Sequence, residues 1–172
     1  MSARVEFPAV LPGRVVLRHG CAHDYERLKR FHYRGKRPAT WAGVWVAEYS
    51  YAASRDRTGG RVVAVAVMSY PTIALHVRDE ALGLRGMAER ARIAFVNQNV
   101  RTISRVIVHP QFRSVGLAVA LVRCLIEQCE TRYVEALAMM GKAHPFFEKA
   151  GMRRIDAGEG RPVYYLKVKG IE

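Results

Sequence analysis

The stretch between residues 103 and 118 constrains the fold of this chain more than any other part of its sequence. A β-branched run, Ile103–Val108, stops at His109-Pro110, and an apolar run, Val115–Glu130, begins shortly after it. The first pattern predicts a strand, and the second predicts a long helix that is apolar on most sides and therefore buried. Because the turn between them is short and contains Gly116, we expect a strand that leads almost directly into a helix.

That turn, Arg113–Ala118, is a candidate anion-binding site. Successive backbone N–H groups converge in such a turn, and the helix that follows presents the positive end of its dipole. Gly116 has no Cβ and lets a ligand approach the backbone closely, while Arg113 can add a charge-assisted contact. The same residues also fit an ordinary strand, turn and helix with a packing glycine, so the turn alone leaves both interpretations open.

The other patterns alternate along the chain and predict one α/β (α+β) domain that covers residues 1–172. The further expected strands are Val15–Arg18, Val44–Tyr51, Arg61–Ser69, Tyr133–Met139 and Pro162–Val168. The further expected helices are Asp24–Tyr33 with Asp24 as its cap, Gly86–Asn97, and Pro145–Ala150 closed by Gly151. Leu82–Leu84 is expected to be a loop.

Cysteine usage and hydropathy set the expected environment of the chain. The three cysteines, Cys21, Cys124 and Cys129, show no paired spacing, which favours a reduced cytoplasmic location over a disulfide framework or a zinc site. The purely apolar runs are short, such as Val62–Met68, and Met1–Gly20 carries several charges. We therefore expect neither a membrane span nor a signal peptide, and no metal site.

Charge is the unusual bulk property of this sequence. Lys and Arg total 28 against 15 Asp and Glu, a formal net charge of +13, which favours anionic partners such as nucleic acid and phosphorylated cofactors. Six of the basic residues lie within Arg27–Arg37, interleaved with Phe31 and Tyr33 and followed by Trp41 and Trp45. This segment is either a nucleic-acid contact with stacking aromatics or a solvated face whose aromatics pack into the core.

Two segments together resemble the GNAT acyltransferase superfamily. Val108-His109-Pro110 followed by Arg113-Ser114-Val115-Gly116-Leu117-Ala118 matches its acetyl-CoA-binding motif, and Ala143–Met152 matches its second, aromatic-rich signature. The resemblance implies a mixed, mostly antiparallel sheet of about six to seven strands flanked by helices. It also implies acetyl-CoA, or another acyl-CoA, as the cosubstrate, with direct attack of an amine on the thioester. The implied CoA contacts are Val106, Ile107 and Val108 for the pantetheine arm and Arg113, Ser114, Val115, Gly116, Leu117 and Ala118 for the pyrophosphate.

The sequence departs from the family where the acid and base usually stand. Phe147, or Phe146 in a shifted register, replaces a tyrosine that can protonate the thiolate, and Ile103–Val108 contains no carboxylate. The candidate substitutes are His144, Tyr33 and His32. The two histidines also have plainer interpretations: His144 as a helix cap or surface residue, and His32 as a core histidine whose hydrogen bonds are satisfied.

The adjacent pair His32-Tyr33, the basic surface and the missing catalytic pair are also similar to phage DNA adenine-modification proteins of the Mom type. That similarity raises a nucleic-acid base as the acceptor. Three functions therefore compete at this stage. The first is an acyl-CoA-dependent N-acyltransferase. The second is a catalytically inactive module that binds CoA or nucleic acid on the same fold. The third is a nucleic-acid-binding protein that has lost CoA binding altogether.

Overall fold

The computed structural model of the protein describes residues 3–4, 13–32, 36–51, 60–139, 141, 145–156, 158 and 160–170. The strands are β1 Ala3–Arg4, β2 Gly13–His19, β3 Gly43–Tyr51, β4 Arg61–Ser69, β5 Val100–Val108, β6 Tyr133–Ala138, β7 Arg153–Ile155 and β8 Val163–Val168. The α-helices are α1 Ala22–Leu28, α2 His76–Ala81, α3 Glu89–Asn99, α4 Leu117–Gln128 and α5 Phe146–Lys149. Short 3₁₀ turns occupy Lys29–Phe31 and Pro110–Phe112.

The strands form one sheet in the order β1-β2-β3-β4-β5-β6-β8-β7. Only the pairing of β5 with β6 is parallel, so the predicted mixed, mostly antiparallel sheet is confirmed. The described strands number eight rather than six or seven. The two additional strands, β1 and β7, have only two and three residues, which is too short to leave an alternating pattern in the sequence.

Helices cover both faces of the sheet. On one face, α4 and α5 bury the main core, in which Leu121, Val122 and Leu125 of α4 lie beneath the central strands. On the other face, α1 packs against β3 and β4, and α3 packs against the beginning of β5. Side chains alternate between the faces along each strand, so β5 contributes to both cores. The site described below lies where this central strand ends.

The boundaries of the helices differ from the sequence prediction in informative ways. Asp24 is the third residue of α1 rather than its cap, and its Oδ2 accepts a hydrogen bond from the Cys21 backbone N–H at 3.1 Å. The helix predicted from Gly86 begins at Glu89, and α2 was not predicted. The loop prediction for residues 82–84 is confirmed. The long buried helix begins at Leu117 rather than Val115 because Gly116 has a positive φ of 88°.

Candidate active site

The cleft of this protein opens where β5 parts from β6. The parallel pairing runs from Val100 opposite Tyr133 to Ile103 opposite Ala136. Beyond that pair, β5 continues against β4, and β6 continues against β8. A register shift opposite Val67 and Met68 places an extra residue, Ser104, in β5 at this point. Because a bulge of this kind bends its strand and increases the local twist, it helps to part β5 from β6.

The space between the two diverging strands is a cleft of about 660 Å³. Its walls come from the second half of β5, the turn that follows it, the first turn of α4, the end of β6 and the beginning of α5. The lining residues are Phe31, His32, Ile103, Ser104, Arg105, Val106, Ile107, Val108, Arg113, Ser114, Gly116, Ala118, Val119, Leu137, Ala138, Met139, Pro145, Phe146, Phe147 and Lys149. One chain segment, residues 103–119, therefore forms most of its surface.

The turn at the mouth of the cleft has the geometry that an anion site requires. Ser114 has a φ of 67° and is the one non-glycine residue with positive φ in the described part of the chain; Gly116 follows with a φ of 88°. The 12-residue helix α4 then begins at Leu117 and directs its N-terminus at the turn. These features, together with Arg113, fit the pyrophosphate group of CoA.

The predicted CoA-contact residues divide into two groups. Seven of them line the cleft: Val106, Ile107, Val108, Arg113, Ser114, Gly116 and Ala118. The side chain of Leu117 is 1% exposed in the main core, and Val115 packs against that core. Any contact from Leu117 with a ligand would therefore come from its backbone N–H. The assignment of all nine residues to CoA remains a prediction.

A buried histidine stands between β5 and the turn. His109 is 8% exposed; its Nε2 lies 2.8 Å from Arg61 Nη2, and its ring meets Phe31 edge-on at 4.8 Å. Burial lowers the pKa of His109 below its ordinary value, and the guanidinium groups of Arg61, Arg30 and Arg113 lower it further. His109 is thus neutral near pH 7 and lies against the outer side of the cleft wall.

The polar groups of the cleft cluster around the bulge in β5. Ser104 Oγ lies 2.7 Å from Ser69 Oγ, which donates to the Thr40 carbonyl at 2.7 Å. Arg105 donates to the carbonyls of Ser104 and Lys36, and its buried Nε has no hydrogen-bond partner among the described residues. The Nε–H of Arg105 is therefore a buried hydrogen-bond donor without a described partner, close to the point where the strands part.

Of the predicted catalytic residues, the structure brings one into the cleft. His32 is half-buried and lines it, directly after the 3₁₀ turn that ends at Phe31. Tyr33 and His144 lie outside the described residues, and both stay predictions. Phe146 and Phe147 both line the cleft, and the Phe147 ring packs 5.0 Å from the Tyr165 ring, deep in the core. No group of three His, Cys, Asp or Glu side chains among the described residues could hold a metal.

A buried ion pair beside the cleft escaped the sequence analysis. Arg78 on α2 is fully buried, and its Nη1 donates to Oε1 of Glu135 on β6 at 3.2 Å. The feature of the sequence that could have revealed this ion pair is Glu135, a carboxylate between Val134 and Ala136 in an otherwise apolar strand. A charged residue in a strand that is covered on both faces indicates a buried partner.

Comparison with known proteins gives the class that this fold and cleft define. The model of the acetyltransferase (GNAT) family matches residues 21–152, and the chain belongs to that family. By that membership it is a GNAT-type N-acetyltransferase. A search of curated proteins finds no match to this sequence.

Solved structures with low sequence identity share the fold. Arabidopsis thaliana NAA60 in complex with acetyl-CoA is 14% identical, with a TM-score of 0.60 over 91% of this chain and 99% of that chain. A GNAT family acetyltransferase from Elizabethkingia anophelis with acetyl-CoA bound is 11% identical, with a TM-score of 0.57 over 90% and 98% of the two chains. The polyamine N-acetyltransferase of Drosophila melanogaster is 15% identical, with a TM-score of 0.54 over 90% and 100%.

None of the described helices has both the length and the apolar composition needed to cross a bilayer.

Proposed function

We propose that this acetyltransferase passes the acyl group directly from acyl-CoA to an amine in the cleft between β5 and β6. The observation that carries this proposal is that β5 and β6 part after the pair Ile103 and Ala136. The turn with positive φ at Ser114 and Gly116, a candidate anion site, lines the same cleft. An extended pantetheine arm can pair with the free edge of β5 while the turn holds the pyrophosphate. The thioester then lies near the bulge at Ser104.

The nucleophiles of the described residues favour direct attack over an acyl-enzyme. Cys124 is buried, and burial raises the pKa of its thiol to about 11, so it is not a nucleophile near neutral pH. Cys21 and Cys129 do not line the cleft. Ser104 does line it, but its hydroxyl is engaged with Ser69 and the Val67 carbonyl, and no described base contacts it. The amine of the acceptor is then the group that attacks the thioester.

The chain supplies two aids to that attack. Backbone N–H groups of β5 beyond Ile103 that no longer face a paired strand can polarise the thioester carbonyl. The imidazole of His32, which also lines the cleft, can take the proton that the amine loses. Phe146 and Phe147 cannot protonate the thiolate, so that proton comes from water, or from Tyr33 or His144, which the sequence offers as alternatives.

We further propose that the acceptor amine belongs to a nucleic acid. Arg30 lies 4.8 Å from the Phe31 ring, and Phe31 in turn contacts His109, which binds Arg61. Neither Arg30 nor Arg61 forms an ion pair with a described acid. Two cations beside the cleft, in addition to Arg113, exceed what one pyrophosphate needs and fit a phosphate backbone.

The basic segment contributes less to this surface than its sequence suggests. Glu26 on α1 pairs with both Lys29 and Arg37, so two of the six cations in residues 27–37 share one carboxylate, which offsets one unit of their charge. The acid precedes the segment by one residue, and the folding of the chain brings Arg37 back to it. The proposed nucleic-acid contact therefore rests on Arg30 and Arg61 rather than on the whole segment.

Fluorescence anisotropy with a labelled single-stranded oligonucleotide across a salt series tests this acceptor class. The double variant Arg30→Ala, Arg61→Ala should weaken binding. The slope of log K against log salt concentration should also become shallower by the contribution of roughly two phosphate contacts. The matched control is Arg85→Ala, Arg154→Ala, which removes the same charge from arginines already paired with Glu80 and Asp156. The control should keep the wild-type slope, and equal effects of the two pairs would contradict a defined nucleic-acid surface.

Transfer of a labelled acetyl group separates the remaining alternatives. We expect transfer from acetyl-CoA to single-stranded DNA or RNA, and spermidine serves as a small-amine comparison. Faster transfer to spermidine than to any oligonucleotide would overturn the nucleic-acid acceptor and leave the direct-transfer mechanism standing. Binding of CoA without transfer to any of these acceptors would support an inactive binding module instead.

A further inference from the structure

Four polar side chains meet in the sheet interior directly before the strands part. The Glu135 carboxylate, 1% exposed, accepts at Oε1 from Arg78 at 3.2 Å and from the Thr102 hydroxyl at 2.7 Å. Its Oε2 accepts from the Tyr164 hydroxyl at 3.0 Å. The donors come from α2, β5 and β8, so three separate elements fix one carboxylate on β6.

The position of this cluster relative to the cleft is specific. Thr102 and Glu135 face each other in the last pair but one of the parallel ladder between β5 and β6. The next pair, Ile103 and Ala136, is the last, and Ile103 already lines the cleft together with Ser104. Neither Thr102 nor Glu135 lines it. The bond between their side chains therefore ties the two strands together one step before they diverge.

Arg78 is held by both of its terminal nitrogens, whereas its buried Nε has no hydrogen-bond partner among the described residues. Its Nη2 donates to the carbonyls of Thr72 and Ile73 at 2.8 and 2.9 Å. Its neighbour Asp79 pairs with Arg92 of α3 at 2.6 Å. Charges of opposite sign therefore follow one another from Glu135 through Arg78 and Asp79 to Arg92. Through this chain, the connection between β4 and β5 that contains α2 and α3 is anchored to the point where the cleft begins.

Stability alone is a poor explanation for such a cluster. A buried ion pair stabilises a fold no better, in general, than apolar residues of the same volume, because both charges lose their hydration. What it supplies is a fixed geometry, since each partner has few alternative positions once desolvated. The cluster lies where a small change in strand separation would move the thioester relative to the attacking amine.

We propose that the Thr102–Glu135 bond, held by Arg78, is a positioning clasp that sets where β5 parts from β6 and hence where the thioester carbonyl comes to rest. These are positioning residues, because they act through the strands and touch no ligand. The inference rests on the proposed transfer in the cleft. Effective positioning can contribute orders of magnitude to a bimolecular reaction, and an error of about 1 Å can cost on the order of a hundredfold.

The variant Thr102→Val removes the hydroxyl but keeps the branched shape of the side chain, and the Arg78–Glu135 pair stays intact. The matched control is Tyr164→Phe, which removes the other hydroxyl on the same carboxylate without touching β5. Thr102→Ser keeps the bond and serves as the rescue. The measurements are CoA release from acetyl-CoA in the presence of an oligonucleotide, and hydrogen exchange of the amides in residues 100–108 and 133–138.

The clasp predicts that Thr102→Val lowers kcat about tenfold while KM for acetyl-CoA changes much less, because the turn at Arg113–Ala118 is untouched. Amide exchange should accelerate at residues 102–105 in Thr102→Val and stay near the wild-type rate in Tyr164→Phe and Thr102→Ser. Equal kcat and equal exchange rates in all three variants would overturn the clasp. If the wild-type protein releases no CoA with the oligonucleotide, the nucleic-acid acceptor has failed, and the kinetic comparison is made with spermidine instead. If it releases none with either acceptor, the proposed transfer has failed, and the exchange rates alone decide whether the clasp exists.

Discussion

The guanidinium of Arg61 lies 2.8 Å from Nε2 of His109, at the end of β5 where the chain turns towards Arg113–Ala118. A guanidinium can only donate hydrogen bonds, and the Gln111 backbone N–H faces the other ring nitrogen, Nδ1, at 3.4 Å. Both ring nitrogens thus face donors, and a doubly protonated ring, which has no lone pair to accept with, does not fit here. The imidazole is therefore neutral in the folded protein, in agreement with its lowered pKa. A neutral ring here keeps the Arg61 cation in place without adding a competing charge beside the turn.

This arrangement predicts how stability depends on pH. The pKa of His109 is lowered by folding, so the unfolded chain binds a proton there at a higher pH than the folded protein does. The contribution of His109 to the free energy of unfolding is fully present above the ordinary histidine pKa of about 6.5. It is lost as the pH falls towards the lower pKa that His109 has in the folded protein. Urea unfolding at a series of pH values should show a shallower acid loss in His109→Gln than in the wild type.

The cause of the shift is open to a separate test by NMR titration of the His109 ring. Arg61→Ala should raise its midpoint, because one repelling cation is gone. Arg85→Ala, which removes an arginine in the loop between α2 and α3, should leave the midpoint unchanged. A midpoint that moves equally in both variants would point to a general charge effect instead.

Backbone strain at Ser114 predicts a second measurable effect. Its φ of 67° disfavours any side chain that is branched at Cβ. Ser114→Val should therefore lower the free energy of unfolding by about 1–3 kcal/mol, whereas Ser114→Gly should not lower it. Chemical denaturation of the two variants measures the difference. Equal stability of both would mean that residue 114 is not held in the left-handed region.

His32 lines the cleft, and its proposed role as a general base predicts a kinetic signature. His32→Gln should lower kcat by about ten- to a hundredfold and remove one limb of the pH–rate profile. His19→Gln is the matched control, because His19 stacks on Trp45 at 4.1 Å and does not line the cleft. A pH–rate profile that is unaltered in His32→Gln would assign the proton transfer to Tyr33, His144 or water.

The sequence predicted the local part of this site and missed the part that depends on distant contacts. The strand, turn and helix from Ile103 to Leu117 are encoded by neighbouring residues, and their order and glycine position are confirmed. The parting of β5 from β6 belongs to the part that depends on distant contacts. No local pattern encodes it, because it depends on which strands pair with which.

The basic segment and α2 show why charge patterns mislead when partners are far apart in sequence. Arg37 looked unpaired within its stretch, yet the fold returns it to Glu26. The sequence does not predict α2, because the one buried side chain of this helix is Arg78 and not an apolar residue. Its partner Glu135 follows 57 residues later. Such pairs become visible only once the topology brings their strands and helices together.

Calorimetric titration with CoA measures whether the turn at the end of β5 holds the CoA pyrophosphate. Gly116→Asp places a side chain and a negative charge where the phosphates are expected. Gly86→Asp is the matched control: Gly86 has nearly the same φ of 87°, and a Cβ there meets nothing within 4 Å. Both variants thus impose similar backbone strain and the same change in charge.

We expect one CoA site in the wild-type protein, a loss of affinity on the order of a hundredfold in Gly116→Asp, and near wild-type affinity in Gly86→Asp. Circular dichroism would confirm that both variants are folded. An absence of CoA binding in the wild type, or an unchanged dissociation constant in folded Gly116→Asp, would contradict the assignment of this cleft to acyl-CoA.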